Sequence, residues 1–260
     1  MNITFLGGDR RMSVAASFLE VKGHTVYTST GEIPADTRLL VLPYPATRDG
    51  SLIAGTDIPF STLAIPDGTA LLGGRVPAAW QAGRVFSDVE ENEKFLLDNA
   101  YLTAAAGVAT ALRAGERAFF RVTAGVIGYG RIGRFCADML RALGAEVEVY
   151  VRRGEVKECA ERSGFRARLL EEGMSIPTDL LFGSAPAPAE NLVALRISPT
   201  ASVYDLGGGL PTHLLATDGS RIPVLSLRGA PGVFAPRAAG EIYGGAILDF
   251  VNTLERNMTV

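Results

Sequence analysis

The chain has 260 residues, 47% of them hydrophobic, enough to bury a sizeable core and to form two modest domains. A net charge of -3 and a pI near 5.5 lack the basic footprint of a nucleic-acid binder. No run approaches the roughly 18 consecutive apolar residues of a membrane span and the start reads as a strand rather than a signal peptide, so a cytoplasmic protein that binds neither nucleic acid nor membrane is expected.

Residues 3–6 read as a strand that ends in Gly7-Gly8-Asp9 and runs into a helix reaching about residue 22. Gly23-His24 then turns into a strand at 25–27. A third strand, 39–42, ends in the breaker-rich loop Pro43-Tyr-Pro-Ala-Thr-Arg-Asp-Gly50, and shorter strands fit at 69–72 and 84–86. Strands alternating with helices imply a parallel sheet, with ligand sites beyond the carboxyl ends of the strands. Gly7-Gly8-Asp9 lacks a full nucleotide fingerprint. A long helix at 90–113, with Phe95, Leu96, Leu102, Ala106, Ala109 and Leu112 on one face, suits a connector between two lobes.

The next strand, 122–127, runs into Gly128-x-Gly130-x-x-Gly133 and a helix carrying Ile132, Phe135, Cys136, Met139, Leu140 and Leu143 at helical spacing. In a dinucleotide fingerprint the first glycine makes the tight turn. The second lets a pyrophosphate reach the backbone, and the third lets helix and strand pack closely. Residues 146–151 form the second strand of this βαβ unit. An NAD site has an acidic residue near its tip, whereas this strand ends in Arg152-Arg153, which suits the extra phosphate of NADP. NADP is therefore expected ahead of NAD.

Further strands at 165–169, 179–182, 202–206 and 223–227 bring this lobe to the six of a doubly wound dinucleotide fold. After Pro236, Ala239, Ile242, Tyr243, Ala246, Ile247, Phe250, Val251 and Leu254 mark an amphipathic helix expected to return to the first lobe. The predicted class is α/β, with two Rossmann-like doubly wound parallel-sheet domains. The N-terminal substrate-side domain covers 1–89, the connector helix 90–114, the NAD(P)-binding domain 115–236 and the returning helix 237–260.

Three glycine- or proline-rich loops are placed to converge on the ligand: Gly183 to Pro188, Asp205 to Gly209, and Arg228 to Pro236. The candidate cofactor-binding residues are Gly128, Tyr129, Gly130, Arg131, Ile132, Gly133, Arg152, Arg153, Ser184, Ala185, Pro186, Asp205, Leu206, Gly207, Gly229 and Pro231. Cys136 and Cys159 are the only cysteines and His24 and His213 the only histidines, which argues against a disulfide framework and against a metal site.

Several segments, in order along nearly the whole chain, resemble the dipicolinate synthase A family. They are Ile3-Thr-Phe-Leu-Gly-Gly-Asp-Arg-Arg11, Leu42-Pro-Tyr-Pro-Ala-Thr47, Asn99 with Thr103, Val126-Ile-Gly-Tyr-Gly-Arg-Ile-Gly133, Tyr204-Asp-Leu206 and Ala230-Pro-Gly-Val-Phe-Ala-Pro-Arg-Ala-Ala-Gly-Glu-Ile242. The resemblance implies NADP-linked oxidation of a dihydropyridine dicarboxylate to pyridine-2,6-dicarboxylate during sporulation. It also implies a flavoprotein-like partner, the second component of the dipicolinate synthase system. Such a site must hold two carboxylates, set a nicotinamide against the ring and accept one proton. On this reading Arg11, Thr47 and Arg48 bind the small dicarboxylate substrate in a cleft between the lobes. Asn99 and Thr103 assist there as catalytic-site residues, and His213 is the general-base candidate.

The chain departs from the family around Asn99, where Asn-x-x-Pro-Thr-x-Glu-Gly is typical. The proline position is Leu102 and the glutamate position is Ala105. A catalytically silent NADP-binding scaffold or sensor is therefore an alternative. A 2-hydroxy-acid dehydrogenase-like enzyme is another, although the histidine–carboxylate pair of such enzymes is missing. A homodimer is the default assembly.

Overall fold

The structure, a computed structural model, describes residues 1–258 except 30, 116–118, 187–191 and 193. The chain divides into two compact units, Met1–Asn99 with Ala235–Val260, and Ala100–Phe234.

The first unit contains β1 (Asn2–Leu6), α1 (Arg10–Val21), β2 (Thr25–Ser29), β3 (Leu39–Val41), β4 (Ala70–Gly73), the short α2 (Ala78–Gln81) and β5 (Phe86–Asp88). All five strands are parallel, in the order β2-β1-β3-β4-β5. The central strands are apolar because both faces of a parallel sheet are covered: Leu39, Leu40 and Val41 are all buried. α1 starts where Asp9 accepts the Arg11 amide at 2.9 Å, and it buries Met12, Ala15, Ala16 and Leu19. β5 lies two residues beyond the expected 84–86, since a three-residue edge strand leaves little periodicity to read.

α3 (Glu93–Ala114) is the continuous connector. Asn92 accepts the Phe95 amide at 3.0 Å, which places the helix start after the expected residue 90. Its predicted apolar face is partly corrected. Phe95, Leu102 and Ala106 are buried, but Leu112 is 40% exposed, and Ala104, Val108 and Ala111 face the core of the second unit instead. Among the described residues, α3 is the one helix long and apolar enough to cross a membrane by composition. Half of its most apolar stretch is buried inside the fold, as in a core helix.

The second unit runs through β6 (Thr123–Ile127), α4 (Arg131–Ala142), β7 (Glu146–Val151), α5 (Gly154–Arg162), β8 (Arg166–Leu169), β9 (Ser175–Ile176), β10 (Leu180–Gly183), β11 (Arg196–Ile197), β12 (Ser202–Asp205), β13 (His213–Ala216), β14 (Arg221–Ser226) and the short α6 (Ala230–Phe234). Its sheet order is β8-β7-β6-β10-β12-β14-β13-β11-β9. The first six strands are the six expected. All are parallel and in the doubly wound order of a dinucleotide-binding fold. The remaining three extend the sheet through an antiparallel β13–β14 pair. Two of the three are only two residues long, too short for alternation to show, and the third, β13, was not read from the sequence.

The chain ends in α7 (Pro236–Met258), which returns to the first unit as expected and packs on α1. Ala239, Tyr243, Ala246, Ile247 and Val251 are buried there, with Ile242, Phe250 and Leu254 packed around them. Gly240 and Gly244 let the two helices touch. A Cβ at these positions would lie 2.5 Å from Val14 Cβ and 2.7 Å from Phe18 Cδ1. The buried Tyr243 hydroxyl donates to the Leu42 carbonyl at 2.6 Å, tying α7 to the end of β3. Tyr243→Phe removes the donor and leaves that carbonyl poorly satisfied, so chemical denaturation should show a loss of about 1–2 kcal/mol.

Candidate functional site

In the second unit the strand order reverses between β6 and β10, the switch point where open α/β sheets bind ligands. A crevice of about 450 Å3 opens there. Gly128 and Gly130 line it from the turn after β6, Arg152 and Arg153 from the tip of β7, and Ser184, Ala185 and Pro186 from the end of β10.

Each fingerprint glycine meets a different constraint. Gly128 has φ 93, a left-handed conformation that a side chain resists. A Cβ on Gly133 would sit 2.2 Å from the Gly128 carbonyl oxygen, so the third glycine is needed for packing within the chain. A Cβ on Gly130 would meet nothing within 4 Å. No protein atom demands glycine there, whereas a diphosphate lying against the backbone would. Gly130 is also the N-cap of α4 and supplies no side-chain cap, leaving the first helical amides and the positive end of the helix dipole to a ligand. The residues present therefore fit a dinucleotide diphosphate.

Ser184 braces this turn by donating to the carbonyls of Ile127 and Gly128 at 3.0 and 3.3 Å. Arg153, the N-cap residue of α5, lies 3.0 Å from Glu155. Sequence reading missed Arg134, Tyr150, Glu155 and Cys159 in the crevice lining. Arg134 lies over the Tyr129 ring at 5.4 Å, donates to the Tyr129 carbonyl at 3.3 Å and comes 3.6 Å from Cys159 Sγ. Its position directly after Gly133, in the first turns of α4, was a usable signal. Glu155 and Cys159 fall one turn apart on α5, a spacing visible only once that helix is placed. The Tyr150 hydroxyl donates to Glu148, and burial with this carboxylate pushes the phenol well above its usual range.

Other predicted cofactor residues bring no side chain to the crevice lining, although Arg131, Ile132 and Gly133 supply the first amides of α4. Ile132 packs into the core and Gly133 lies under the turn. Arg131, the first residue of α4, is exposed. Asp205 is buried and accepts the Gly208 amide at 2.9 Å. Gly207 packs against the Ala185 carbonyl, where a Cβ would come within 2.4 Å. Asp205, Leu206 and Gly207 thus brace the wall made by Ala185. Gly229 and buried Pro231 shape the start of α6. Of the loop 183–188, residues 187 and 188 lie outside the described residues.

The first unit has a much smaller pocket, about 20 Å3, where the loops after β1 and β3 meet; its lining includes Asp9, Arg11, Tyr44, Phe95, Asn99 and Tyr243. Arg11 forks onto the Asp9 carboxylate with bonds of 2.8 to 3.1 Å and also donates to the Tyr44 carbonyl at 3.2 Å. Partial burial raises the Asp9 carboxyl, but the Arg11 bonds and charge, with Arg48 beyond, outweigh it and hold the group below its usual range. Burial beside Glu90 pushes the Tyr44 phenol up to about 12. Of the substrate-side candidates, Arg11 and Asn99 share this pocket. Arg48 is exposed further along the loop after β3, where the Thr47 hydroxyl donates to Asp49 at 3.1 Å and accepts the Gly50 amide. Asp49 also accepts the Ser51 and Leu52 amides, which hold its carboxyl down at about 2. Thr103 is buried on α3 within the second unit. His213 starts β13 in the sheet extension, 3.3 Å from the Thr212 hydroxyl, and is not part of the crevice lining.

A doubly wound sheet, a glycine fingerprint at its switch point and an open crevice beside it define a Rossmann domain of the dinucleotide-binding type. Residues 100–192 match the family model described as D-isomer specific 2-hydroxyacid dehydrogenase, NAD binding domain, which supports a nicotinamide dinucleotide as the cofactor class. No curated protein matches the chain by sequence. Among solved structures it is similar to dipicolinate synthase A from Bacillus subtilis, at 18% identity and TM-score 0.75, covering 99% of this chain and 97% of that one. The corresponding protein from Bacillus halodurans gives 17% identity and TM-score 0.74 over 96% and 97% of the two chains. The D-lactate dehydrogenase of Escherichia coli gives 13% identity and TM-score 0.60 over 99% and 98%. At these identities the likeness is one of fold.

Gly130→Ala is expected to melt at the wild-type temperature yet bind nicotinamide nucleotides at least about tenfold more weakly, whereas Gly133→Ala should lose stability by about 1–3 kcal/mol. Calorimetric titration and thermal melts of both variants separate the two roles. The Asp49 turn supplies a pH test. The Asp49 pKa is lowered in the folded state, so the stabilisation is complete above the usual value of 3.8 and is lost as pH falls toward about 2. The protection of the Ser51 and Leu52 amides against hydrogen exchange, taken relative to the intrinsic rate at each pH, should fall over that window.

Proposed function

We propose that the protein is an NADP-dependent oxidoreductase of the dipicolinate synthase A type, which oxidises dihydrodipicolinate to pyridine-2,6-dicarboxylate. The observation that carries the reading is the open backbone at Gly130, at a helix start without a side-chain cap and facing a crevice that Arg152 and Arg153 also line. Bound NADP+ would supply the hydride acceptor. The chain's own residues hold it: the first amides of α4 bind the diphosphate, and the arginines after β7 face the adenosine ribose.

Arg11 and Asn99 are the proposed carboxylate ligands. Asp9 and the Tyr44 carbonyl hold Arg11 beside a pocket of about 20 Å3, so a substrate carboxylate would have to share or displace the Asp9 contact. In this proposal Thr47 and Arg48, on the loop that also carries Tyr44, assist the binding. The active species is a cytoplasmic homodimer working in sporulation with a flavoprotein-like partner.

Ala105, half-buried on α3 where the resembling family carries a glutamate, favours a second reading: a silent NADP-binding scaffold or sensor. The two differ in turnover. The purified protein should bind NADP+ in titration calorimetry and reduce it on addition of freshly generated dihydrodipicolinate, with or without the flavoprotein-like partner. Binding without turnover would leave the scaffold reading, and no binding would remove both. A 2-hydroxy-acid dehydrogenase activity is disfavoured by the lack of a histidine in the crevice lining, and inactivity toward a panel of 2-hydroxy and 2-keto acids checks it.

A further inference from the structure

The crevice carries more positive charge than a diphosphate site needs, because its helix start already supplies donors. Among the described residues, three guanidiniums, on Arg134, Arg152 and Arg153, and one carboxylate, on Glu155, line it. The three arginines are not equivalent. Arg153 lies 3.0 Å from Glu155 at the start of α5, in a pair that is about 70% exposed on both sides. Such a pair adds little stability, but it cancels charge locally. Arg134 comes from a different element and is held without a carboxylate among the described residues. Its Nε donates to the Tyr129 carbonyl at 3.3 Å, its Cζ lies 5.4 Å from the centre of the Tyr129 ring, and that ring is itself buried edge-on to Phe165. This fixes a guanidinium beside the crevice while leaving its charge uncompensated. Arg152 joins no ion pair among the described residues.

We propose that the crevice grips a ribose phosphate with two guanidiniums from separate elements, Arg152 at the tip of β7 and Arg134 on α4, while Arg153 is neutralised by Glu155. The inference rests on reading the crevice as an NADP site, and it assigns the second phosphate ligand to the fingerprint helix rather than to the neighbouring arginine. A phosphate monoester near neutral pH carries a charge of about -1.5 to -2. The two cations in excess over carboxylates match it. Because Arg134 is already ordered by its carbonyl and ring contacts, little rotamer freedom is lost when it bonds the phosphate. With NAD+, which has a hydroxyl in that place, the same cations face no anion. Glu155, the carboxylate nearest to the role of a ribose-hydroxyl acceptor, is engaged by Arg153.

The test is titration calorimetry of NADP+ and NAD+ against wild type and the variants Arg134→Ala, Arg134→Lys, Arg152→Ala and Arg153→Ala, each checked by thermal melt. Arg134→Ala and Arg152→Ala should each weaken NADP+ by about tenfold and NAD+ by less than about twofold. Arg134→Lys should recover part of the loss, and Arg153→Ala should lower the NADP+ preference less than either alanine variant. Raising the salt should narrow the gap between wild type and the alanine variants.

Equal weakening of both nucleotides by Arg134→Ala would mean that Arg134 only props the Tyr129 turn, and the inference would fall. It would fall equally if Arg134→Ala left NADP+ binding intact or if Arg153→Ala alone abolished the preference. Wild-type protein that bound neither nucleotide, or preferred NAD+, would remove the NADP reading and this inference with it. Tight NADP+ binding indifferent to Arg134 would remove only the inference.

Discussion

At the turn between β6 and α4, a Cβ on Gly133 would lie 2.2 Å from the Gly128 carbonyl oxygen. Only a residue without a side chain lets the helix begin that close beneath the strand. The consequences run through the whole second unit. α4 starts against the switch point, its first amides open into the crevice, and Ser184 at the end of β10 can reach the carbonyls of Ile127 and Gly128. The wall behind is built in the same way. Gly207 and Gly209 pack within 2.4 and 2.5 Å of the Ala185 carbonyl oxygen, measured from an added Cβ, and Asp205 ties the Gly208 amide down. Small residues at main-chain contacts let the walls of the site pack this closely.

The two units show what one difference at a helix start does to a shared architecture. Both place a helix after their first strand, beside the point where strand order reverses. In the first unit Asp9 caps that helix with its own carboxylate and Arg11 closes over it, so the anion position is filled from within and only about 20 Å3 is left. In the second unit Gly130 caps without a side chain, and about 450 Å3 remains open. A carboxylate at a helix N-terminus satisfies the same amides and dipole that a phosphate would. The fold class therefore does not decide which unit takes a nucleotide; the capping residue does.

Charge in the crevice follows a similar division. Arg152 and Arg153 are neighbours in sequence but differ in surroundings, one without an ion-pair partner among the described residues and the other against Glu155. Arg134 comes to the crevice from α4 and is oriented by the Tyr129 ring and carbonyl. Tyr129 itself is 5% exposed and belongs to the core. The fingerprint tyrosine thus supports the arginine with its ring and its carbonyl.

Periodicity and glycine spacing made much of this legible. The six parallel strands of the second unit, the connector helix, the returning helix with its Ala239, Tyr243 and Ile247 face, and the roles of Gly128 and Gly133 all follow from local pattern. Each depends on residues close together in the chain. Patterns of two residues, as in β9 and β11, fall below what alternation can reveal, so the sheet extension went unseen. What the sequence by itself determined is where a nucleotide's diphosphate can lie, because turn, helix start and close packing are set within the nine residues from Gly125 to Gly133. Only the tertiary structure decided which side chains surround that place. Arg134, Glu155, Cys159 and Tyr150 reach the crevice, while Asp205, Leu206, Gly207 and Pro231 support it or stay apart from it. The physical reason is that a lining is made where strand ends and helix faces far apart in sequence meet. Burial and pairing there depend on packing that no local pattern encodes.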